Sequence, residues 1–112
     1  MKLACSSIFA NIPKQLSAEL CESLLEYPDF RLERIISAGH KSADGFWYDQ
    51  AQNEWVLLLQ GQARLEFADA SSINLTTGDY LLIPAHCKHR VAWTSPVSET
   101  IWLAIHFADA GD

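Results

Sequence analysis

The sequence predicts an all-β protein, and three features of the chain indicate this fold class. From Phe30 onward, short strand-like segments follow one another, with turn signals at intervals of roughly 8–12 residues. Residues 62–67 alternate between apolar and polar side chains, as expected for a strand with one face in a core. Residues 55–59 are apolar on both faces, which is typical of a strand covered on both sides. These features favour a sandwich or barrel of antiparallel strands.

Turn residues divide this part of the chain into eight expected strands. Gln60 and Gly61 predict a tight hairpin turn after the third strand. Pro84 ends the sixth strand, because proline has no N–H to donate to a neighbouring strand. The expected strands are 30–37, 46–49, 55–59, 62–67, 73–75, 80–83, 89–94 and 100–107.

One short helix is predicted before the strands, at residues 17–26. Ser17 can cap its N-terminus, and Glu19 lies in the first turn, where the helix dipole favours an anion. Leu20 and Leu24 lie on one stripe of such a helix. The Tyr-Pro-Asp sequence that follows is expected to end it, since proline disfavours helical backbone in the preceding residue.

Length and composition predict one small domain in the cytoplasm. The 112 residues are expected to form a lead-in with the helix at 1–29, packed on a barrel at 30–112. A net charge of −6, without a cluster of Lys or Arg, argues against nucleic acid and membrane surfaces as partners. The apolar runs are too short to cross a bilayer or to form a signal peptide. Three widely spaced cysteines fit no disulfide framework and predict reduced thiols.

Two motifs in the middle of the chain carry most of the functional information. Glu54 is followed after six residues by Gly61, and Gly78 is followed after five residues by Pro84 and then by His89. This spacing resembles the cupin motifs G-x5-H-x-H-x(3,4)-E-x6-G and G-x5-P-x-G-x2-H-x3-N. The resemblance implies a jelly-roll barrel, the double-stranded β-helix, with a small-molecule pocket at its mouth.

The chain departs from the cupin motifs at the metal-binding histidines. In the family, two His and one Glu of the first motif and one His of the second hold a divalent metal, and only Glu54 and His89 match. The two missing histidines fall on Trp47 and Asp49 with the four-residue spacer, and on Tyr48 and Gln50 with the three-residue spacer. A shift of the strand register by one residue would exchange the pair of side chains that faces the pocket.

In the first of these registers, Asp49 replaces one histidine. The resemblance then implies a divalent metal on Asp49, Glu54 and His89, with Mn²⁺, Fe²⁺, Zn²⁺ or Ni²⁺ as candidates and no other cofactor. We expect the candidate ligand-binding residues to be Trp47, Gln50, His86 and Trp93. A flat indole ring suits a sugar or an aromatic ligand. By contrast, His106 is expected to be a hydrogen-bonded structural residue.

Three functions remain open at this point, and all of them involve a small-molecule ligand. The first is a metal-supported cupin acting as an oxygenase, isomerase or lyase. The second is a metal-free binding or sensor module with a degenerate site. The third is a metal-free epimerase or isomerase with His89 as its base. The sequence assigns no catalytic residue beyond that hypothesis.

The apolar faces of two strands also predict self-association. Residues 54–59 are apolar on both faces, and the last strand has an apolar face in addition to its mixed one. A small barrel cannot cover all of this surface internally. We therefore expect a two-fold homodimer in which sheets pack face to face.

Overall fold

The structure is a computed structural model that describes residues 3–109, and it is built from antiparallel strands. The eight strands are β1 (Leu20–Tyr27), β2 (Phe30–Ser37), β3 (Asn53–Gln60), β4 (Gln62–Phe67), β5 (Ser72–Thr76), β6 (Tyr80–Ile83), β7 (His89–Thr94) and β8 (Thr100–Phe107). The predicted all-β jelly-roll fold is therefore confirmed. Nothing in residues 3–109 forms a helix long and apolar enough to cross a membrane.

Two sheets face each other and enclose the core. One sheet has five strands in the order β1-β2-β8-β3-β6, and the other has three in the order β5-β4-β7. Side chains that alternate along the strands meet between the sheets, as the period-two pattern requires. The buried core consists of Val56, Leu58, Ala63, Leu65, Leu75, Ile83, Trp102 and Ala104.

The predicted N-terminal helix is wrong, because its residues form strand β1. Leu20 pairs with Ile36 and Tyr27 pairs with Phe30, so β1 is hydrogen-bonded to β2 along its length. The four-residue spacing of leucines suits a helix, but pairing with β2 satisfies the same backbone groups and prevails over local propensity. The expected boundary between lead-in and barrel falls in the β1–β2 turn, so the lead-in contributes a strand to the larger sheet.

The segment before β1 is held against the outer face of the five-stranded sheet by Arg34. Its guanidinium donates to the carbonyls of Ile8 and Ala10 at 2.9 and 2.6 Å. It also forms an ion pair with Glu22, at 2.6 Å between Nη2 and Oε1. Arg34 is only 5% exposed, so this is a buried charge with its hydrogen bonds supplied.

A turn at Gly61 moves the chain from one sheet to the other. The predicted β3–β4 hairpin does not form, because β3 pairs with β6 and β8 whereas β4 pairs with β5 and β7. Gly61 has a φ of 98°, and a Cβ there would lie 2.8 Å from the Cα of Thr100. Glycine is required here by both backbone conformation and space.

The long connection between β2 and β3 runs beside β7. The strand predicted at 46–49 is reduced to a single bridge, in which the N–H of Tyr48 donates to the carbonyl of His89 at 2.7 Å and the reverse bond is 3.1 Å. The N–H of Ser42 also donates to the carbonyl of Val91 at 2.8 Å. These bonds fix the connection and set which of its side chains face inward.

Candidate functional site

A cavity of about 240 Å³ lies between the two sheets. Its apolar wall includes Ile35, Val56, Leu65, Ile83 and Val91. Its polar wall includes Glu33, Tyr48, Gln50, Glu54, His89 and His106. A few polar groups converging in a mainly apolar cavity are the usual form of a small-molecule site.

His89 stands at the start of β7 with its ring orientation fixed. The Nδ1–H donates to the carbonyl of Cys87 at 2.9 Å, so Nε2 is the nitrogen that faces the Glu54 carboxylate, 3.4 Å from Oε1. His89 is 5% exposed and Glu54 is 7% exposed. Burial lowers the pKa of His89, but Glu54 and the Cys87 carbonyl outweigh it, and the pKa is raised overall.

Glu54 lies between two imidazoles in a row of four side chains. Its Oε2 is 3.9 Å from Nε2 of His106, and that Nε2–H donates to Oε1 of Glu33 at 3.0 Å. The order across the cavity wall is therefore Glu33, His106, Glu54, His89. Within residues 3–109, Oε1 of Glu54 is buried without a hydrogen-bond partner, which is costly for a carboxylate.

Sequence reasoning missed Glu33 and understated His106. His106 is hydrogen-bonded, as expected, but it also lines the cavity directly opposite Glu54 on the neighbouring strand. The alternation along β8, where Trp102 and Ala104 face the core, indicates that His106 faces the same way. Glu33 could be added only once the pairing of β2 with β8 was known.

Tyr48 closes the cavity beside His89. Its ring stacks on the imidazole, with centroids 5.3 Å apart and an interplanar angle of 24°. Burial, followed by the charges of nearby carboxylates beginning with Glu19, raises the pKa of Tyr48 to about 12. The phenol therefore remains protonated at neutral pH and can act only as a neutral hydrogen-bonding group.

The structure selects the three-residue spacing of the first motif. Tyr48 and Gln50 line the cavity, whereas Asp49 lies outside it and contacts His86, with 2.9 Å between Oδ1 and Nδ1. Both partners of that contact are largely exposed. The predicted set of Asp49, Glu54 and His89 is thus not assembled: only Glu54 and His89 come together. The bridge at Tyr48 is the physical reason, because it fixes the alternation of this connection.

Three of the four candidate ligand-binding residues also lie outside the cavity. Gln50 lines it, but His86, Trp47 and Trp93 do not, and the two indoles are 38% and 37% exposed. The ring of Trp47 lies 5.9 Å from the guanidinium of Arg90. A register shift in the β4–β7 pairing turns Trp93 outward, because Leu65 pairs with Val91 but Arg64 pairs with Trp93.

The residues present do not fit the family's metal as they are arranged. The four family positions are occupied by Tyr48, Gln50, Glu54 and His89, and a protonated phenol and a neutral amide are weak replacements for imidazoles. Across the part of the chain that the structure describes, no group of three or more His, Cys, Asp or Glu side chains is placed to hold a metal ion.

Comparison with known proteins places the chain in a family. The cupin domain model matches residues 35–106, so the chain belongs to the cupin family. No curated protein matches it. A crystal structure from Ralstonia eutropha JMP134, provisionally named a mannose-6-phosphate isomerase, shares 42% identity and a TM-score of 0.90, covering 95% of this chain and 99% of that one.

Two more distant structures support the fold alone. A cupin superfamily protein from Desulfitobacterium hafniense DCB-2 is 23% identical with a TM-score of 0.73, covering 88% of this chain and 84% of that one. FeII HppE is 14% identical with a TM-score of 0.70, covering 87% of this chain and 54% of that one. Structures with different names thus share this architecture, so the fold alone does not define the function.

Proposed function

We propose that the protein is an enzyme of the isomerase type that moves a proton within a small carbonyl compound bound in the cavity. The observation that carries the proposal is the pairing of Glu54 Oε1, buried without another partner, with Nε2 of His89, whose tautomer is fixed. Two titratable groups held side by side in an apolar cavity are suited to general acid–base catalysis.

The raised pKa of His89 assigns the two roles. A protonated imidazole is a proton donor, so His89 is the acid in this proposal and the carboxylate of Glu54 is the base. This reverses the role of base that the sequence suggested for His89. His106, whose Nε2–H is donated to Glu33, stands on the other side of Glu54, with its Nε2 3.9 Å from Oε2 of Glu54.

The proton balance closes without another reactant. Glu54 takes a proton from a carbon next to the carbonyl, while Nε2–H of His89 protonates the carbonyl oxygen, which gives an enediol or enol. For an isomerisation, the neighbouring hydroxyl then returns its proton to His89, and Glu54 delivers its proton to the former carbonyl carbon. The name of the Ralstonia eutropha relative, 42% identical to this chain, supports an isomerisation of this kind.

Solvent exchange tests the proposal before the natural substrate is known. A panel of aldoses, ketoses and smaller hydroxy-carbonyl compounds is incubated with the protein in D₂O, and deuterium incorporation is followed by NMR. Incorporation should fall at least about 100-fold in Glu54→Gln and in His89→Gln, and should persist in Asp44→Asn, an exposed matched control. Binding of panel members without exchange would instead indicate a binding or sensor module.

A divalent metal is the second candidate, favoured by the same unpartnered oxygen of Glu54, which a cation would satisfy. Glu54 and His89 would hold the ion, and Asp49 could join them only by leaving His86. Elemental analysis of protein loaded with Mn²⁺, Fe²⁺, Zn²⁺ or Ni²⁺ and then desalted tests this candidate. One equivalent that is lost in both Glu54→Gln and His89→Ala would support it, and equal retention in those variants would contradict it.

A further inference from the structure

We infer that the molecule bound in this cavity carries a positively charged hydrogen-bond donor, most simply a primary ammonium group. The inference rests on the proposed function only for the location of the site. It concerns the charge of the ligand, so it can be measured whether or not any reaction follows.

The first support is the charge of the cavity wall. Three carboxylates, Glu19, Glu33 and Glu54, line the cavity together with one guanidinium, Arg31. With both imidazoles neutral, these groups leave two net negative charges, and protonation of His89 leaves one. The Nε of Arg31 is 3.4 Å from Oε2 of Glu33, so the guanidinium offsets the charge of one of the three carboxylates, although this Nε makes no hydrogen bond. A monocation is therefore favoured and a phosphate is opposed.

The second support is the kind of hydrogen-bonding group left over. Four atoms of the cavity wall are buried without a hydrogen-bond partner among the described residues: the acceptors Oε1 of Glu54 and Oε1 of Gln50, and the donors Nε of Arg31 and Nε1 of Trp102. Both oxygens belong to residues of the cavity wall, and both only accept hydrogen bonds. An ammonium group offers three donors and no acceptor, which suits the two oxygens, whereas the two N–H groups suit a neutral carbonyl oxygen elsewhere in the ligand. A carboxylate or a phosphate dianion offers no donor to the two oxygens and brings a further negative charge.

Two neighbouring groups respond to the same negative surroundings. Burial, followed by the charges of nearby carboxylates, raises the pKa of Cys21 to about 11 and that of Tyr48 to about 12. Each anion is disfavoured beside Glu19, Glu33 and Glu54. A ligand phosphate would meet the same repulsion. The phosphate implied by the name of the Ralstonia eutropha relative therefore does not suit this cavity.

The remainder of the cavity limits the body of the ligand. Its volume is about 240 Å³, and the wall opposite the polar groups is formed by apolar side chains such as Val56, Leu65 and Ile83. A compact apolar body is expected next to the ammonium group. Combined with the proposed reaction, this describes a small amino-carbonyl compound as the substrate class.

Three probes of matched shape and different charge test the inference: benzylamine, benzyl alcohol and benzoate, with mannose 6-phosphate as a fourth. Binding is measured at neutral pH by NMR line broadening of the probes and by tryptophan fluorescence, to which Trp102 of the cavity wall contributes. We expect benzylamine to bind at least tenfold more tightly than benzyl alcohol, with benzoate and mannose 6-phosphate weaker still. Glu54→Gln should remove most of the preference, and Asp44→Asn, which removes the same charge from an exposed site, should retain it.

The possible results separate this inference from the proposed function. Benzoate or mannose 6-phosphate binding as tightly as benzylamine, or no binding by any probe, would overturn the inference. A preference that survives Glu54→Gln would also overturn it, and Glu33→Gln provides a second variant if Glu54→Gln does not fold. Deuterium incorporation without a preference for benzylamine would support the proposed function and overturn this inference. A preference for benzylamine without deuterium incorporation would support this inference and contradict the proposed function.

Discussion

At the scale of single residues, the site depends on one buried contact. His89 is oriented by the carbonyl of Cys87, so its other nitrogen has to face Glu54. Glu54 in turn lies between two imidazoles. Because the Glu54 carboxylate is the charged group beside His89, its replacement should have the largest electrostatic effect on that imidazole.

Replacement of Glu54 by Gln should lower the pKa of His89. The carboxylate is the main cause that raises this pKa, and burial, which lowers it, remains in the variant. We expect the decrease because the carboxylate that stabilises the protonated imidazole is lost while its burial remains. An NMR titration of the imidazole protons measures it. Asp49→Asn, which removes the exposed partner of His86, should leave the His89 titration unchanged.

The same pair should make the stability of the fold depend on pH. Since the pKa of His89 is higher in the folded chain than its ordinary value of 6.5, the folded state binds this proton more tightly. The stabilisation is complete below about pH 6.5 and is lost as pH rises through the folded pKa. The free energy of unfolding in urea should therefore decrease between pH 6 and pH 8 in the wild type. A free energy of unfolding that decreases as steeply in Glu54→Gln would contradict this explanation.

The sequence could predict only part of the site, for reasons that individual residues make clear. Glu54 and His89 each lie within a strand–turn motif, so local spacing places them correctly. Asp49 was predicted to face the cavity, but the direction of the side chains around Tyr48 depends on a bridge to His89 in β7, which is distant in the sequence. Glu33 joins the site through the pairing of β2 with β8, and no local pattern encodes that register.

At the scale of elements, the strands after β1 were predictable because alternation and turn residues agree. Strand β4 was predicted with its observed bounds, as were β2, β6, β7 and β8. The error at β1 arose because its leucines suit two periodicities, and only the partner strand decides between them. The segment at 46–49 was too short for its local pattern to distinguish a strand from a bridged connection.

The turn that joins the two sheets should tolerate no side chain. Gly61→Ala would combine a positive φ with a Cβ too close to the backbone of Thr100, and should destabilise the fold by about 3 kcal/mol or more. Gly78→Ala is the matched control, since Gly78 also has a positive φ but has open space around the added atom. It should cost about 1–2 kcal/mol. Equal losses in urea unfolding would show that crowding at Gly61 is unimportant.

The lead-in segment should depend on Arg34. Arg34→Met removes the donors to the carbonyls of Ile8 and Ala10 and the ion pair with Glu22. We expect a loss of roughly 2–3 kcal/mol, because hydrogen bonds from a charged group are lost. Amide hydrogen exchange in the segment before β1 should accelerate more than exchange in β3 or β8. Arg64→Met, at an exposed position, should change neither the stability nor the exchange rates. Unchanged amide exchange in Arg34→Met would refute the anchoring role of Arg34.

At the scale of the whole molecule, part of the outer face of the five-stranded sheet is apolar. One row of paired residues crosses all five strands: Leu25, Leu32, Ile105, Trp55 and Leu82. At the two ends of this row, Leu25 is 48% exposed and Leu82 is 53% exposed, and Tyr80, two residues before Leu82 on β6, is 66% exposed. We propose that this face packs against the same face of a second copy, as a two-fold homodimer.

A charge in this row should separate the two copies. Leu82→Lys places an ammonium group in the proposed interface, where it would be buried without a partner. Size-exclusion chromatography with light scattering should give the mass of two chains for the wild type and one for the variant. Val97→Lys, at a position that is 91% exposed in a loop, should remain dimeric. A wild-type mass of one chain would refute the proposal.

The bridged connection beside β7 has a consequence for the kinetics of binding. Its hydrogen bonds from Ser42 and Tyr48 hold one rim of the cavity in place before any ligand arrives. Encounter with a ligand then requires no closure of this rim, so the observed association rate should rise in proportion to ligand concentration without reaching a plateau. Selection among ligands would be expressed mainly in how long each one stays, which is set by the fixed walls that it meets.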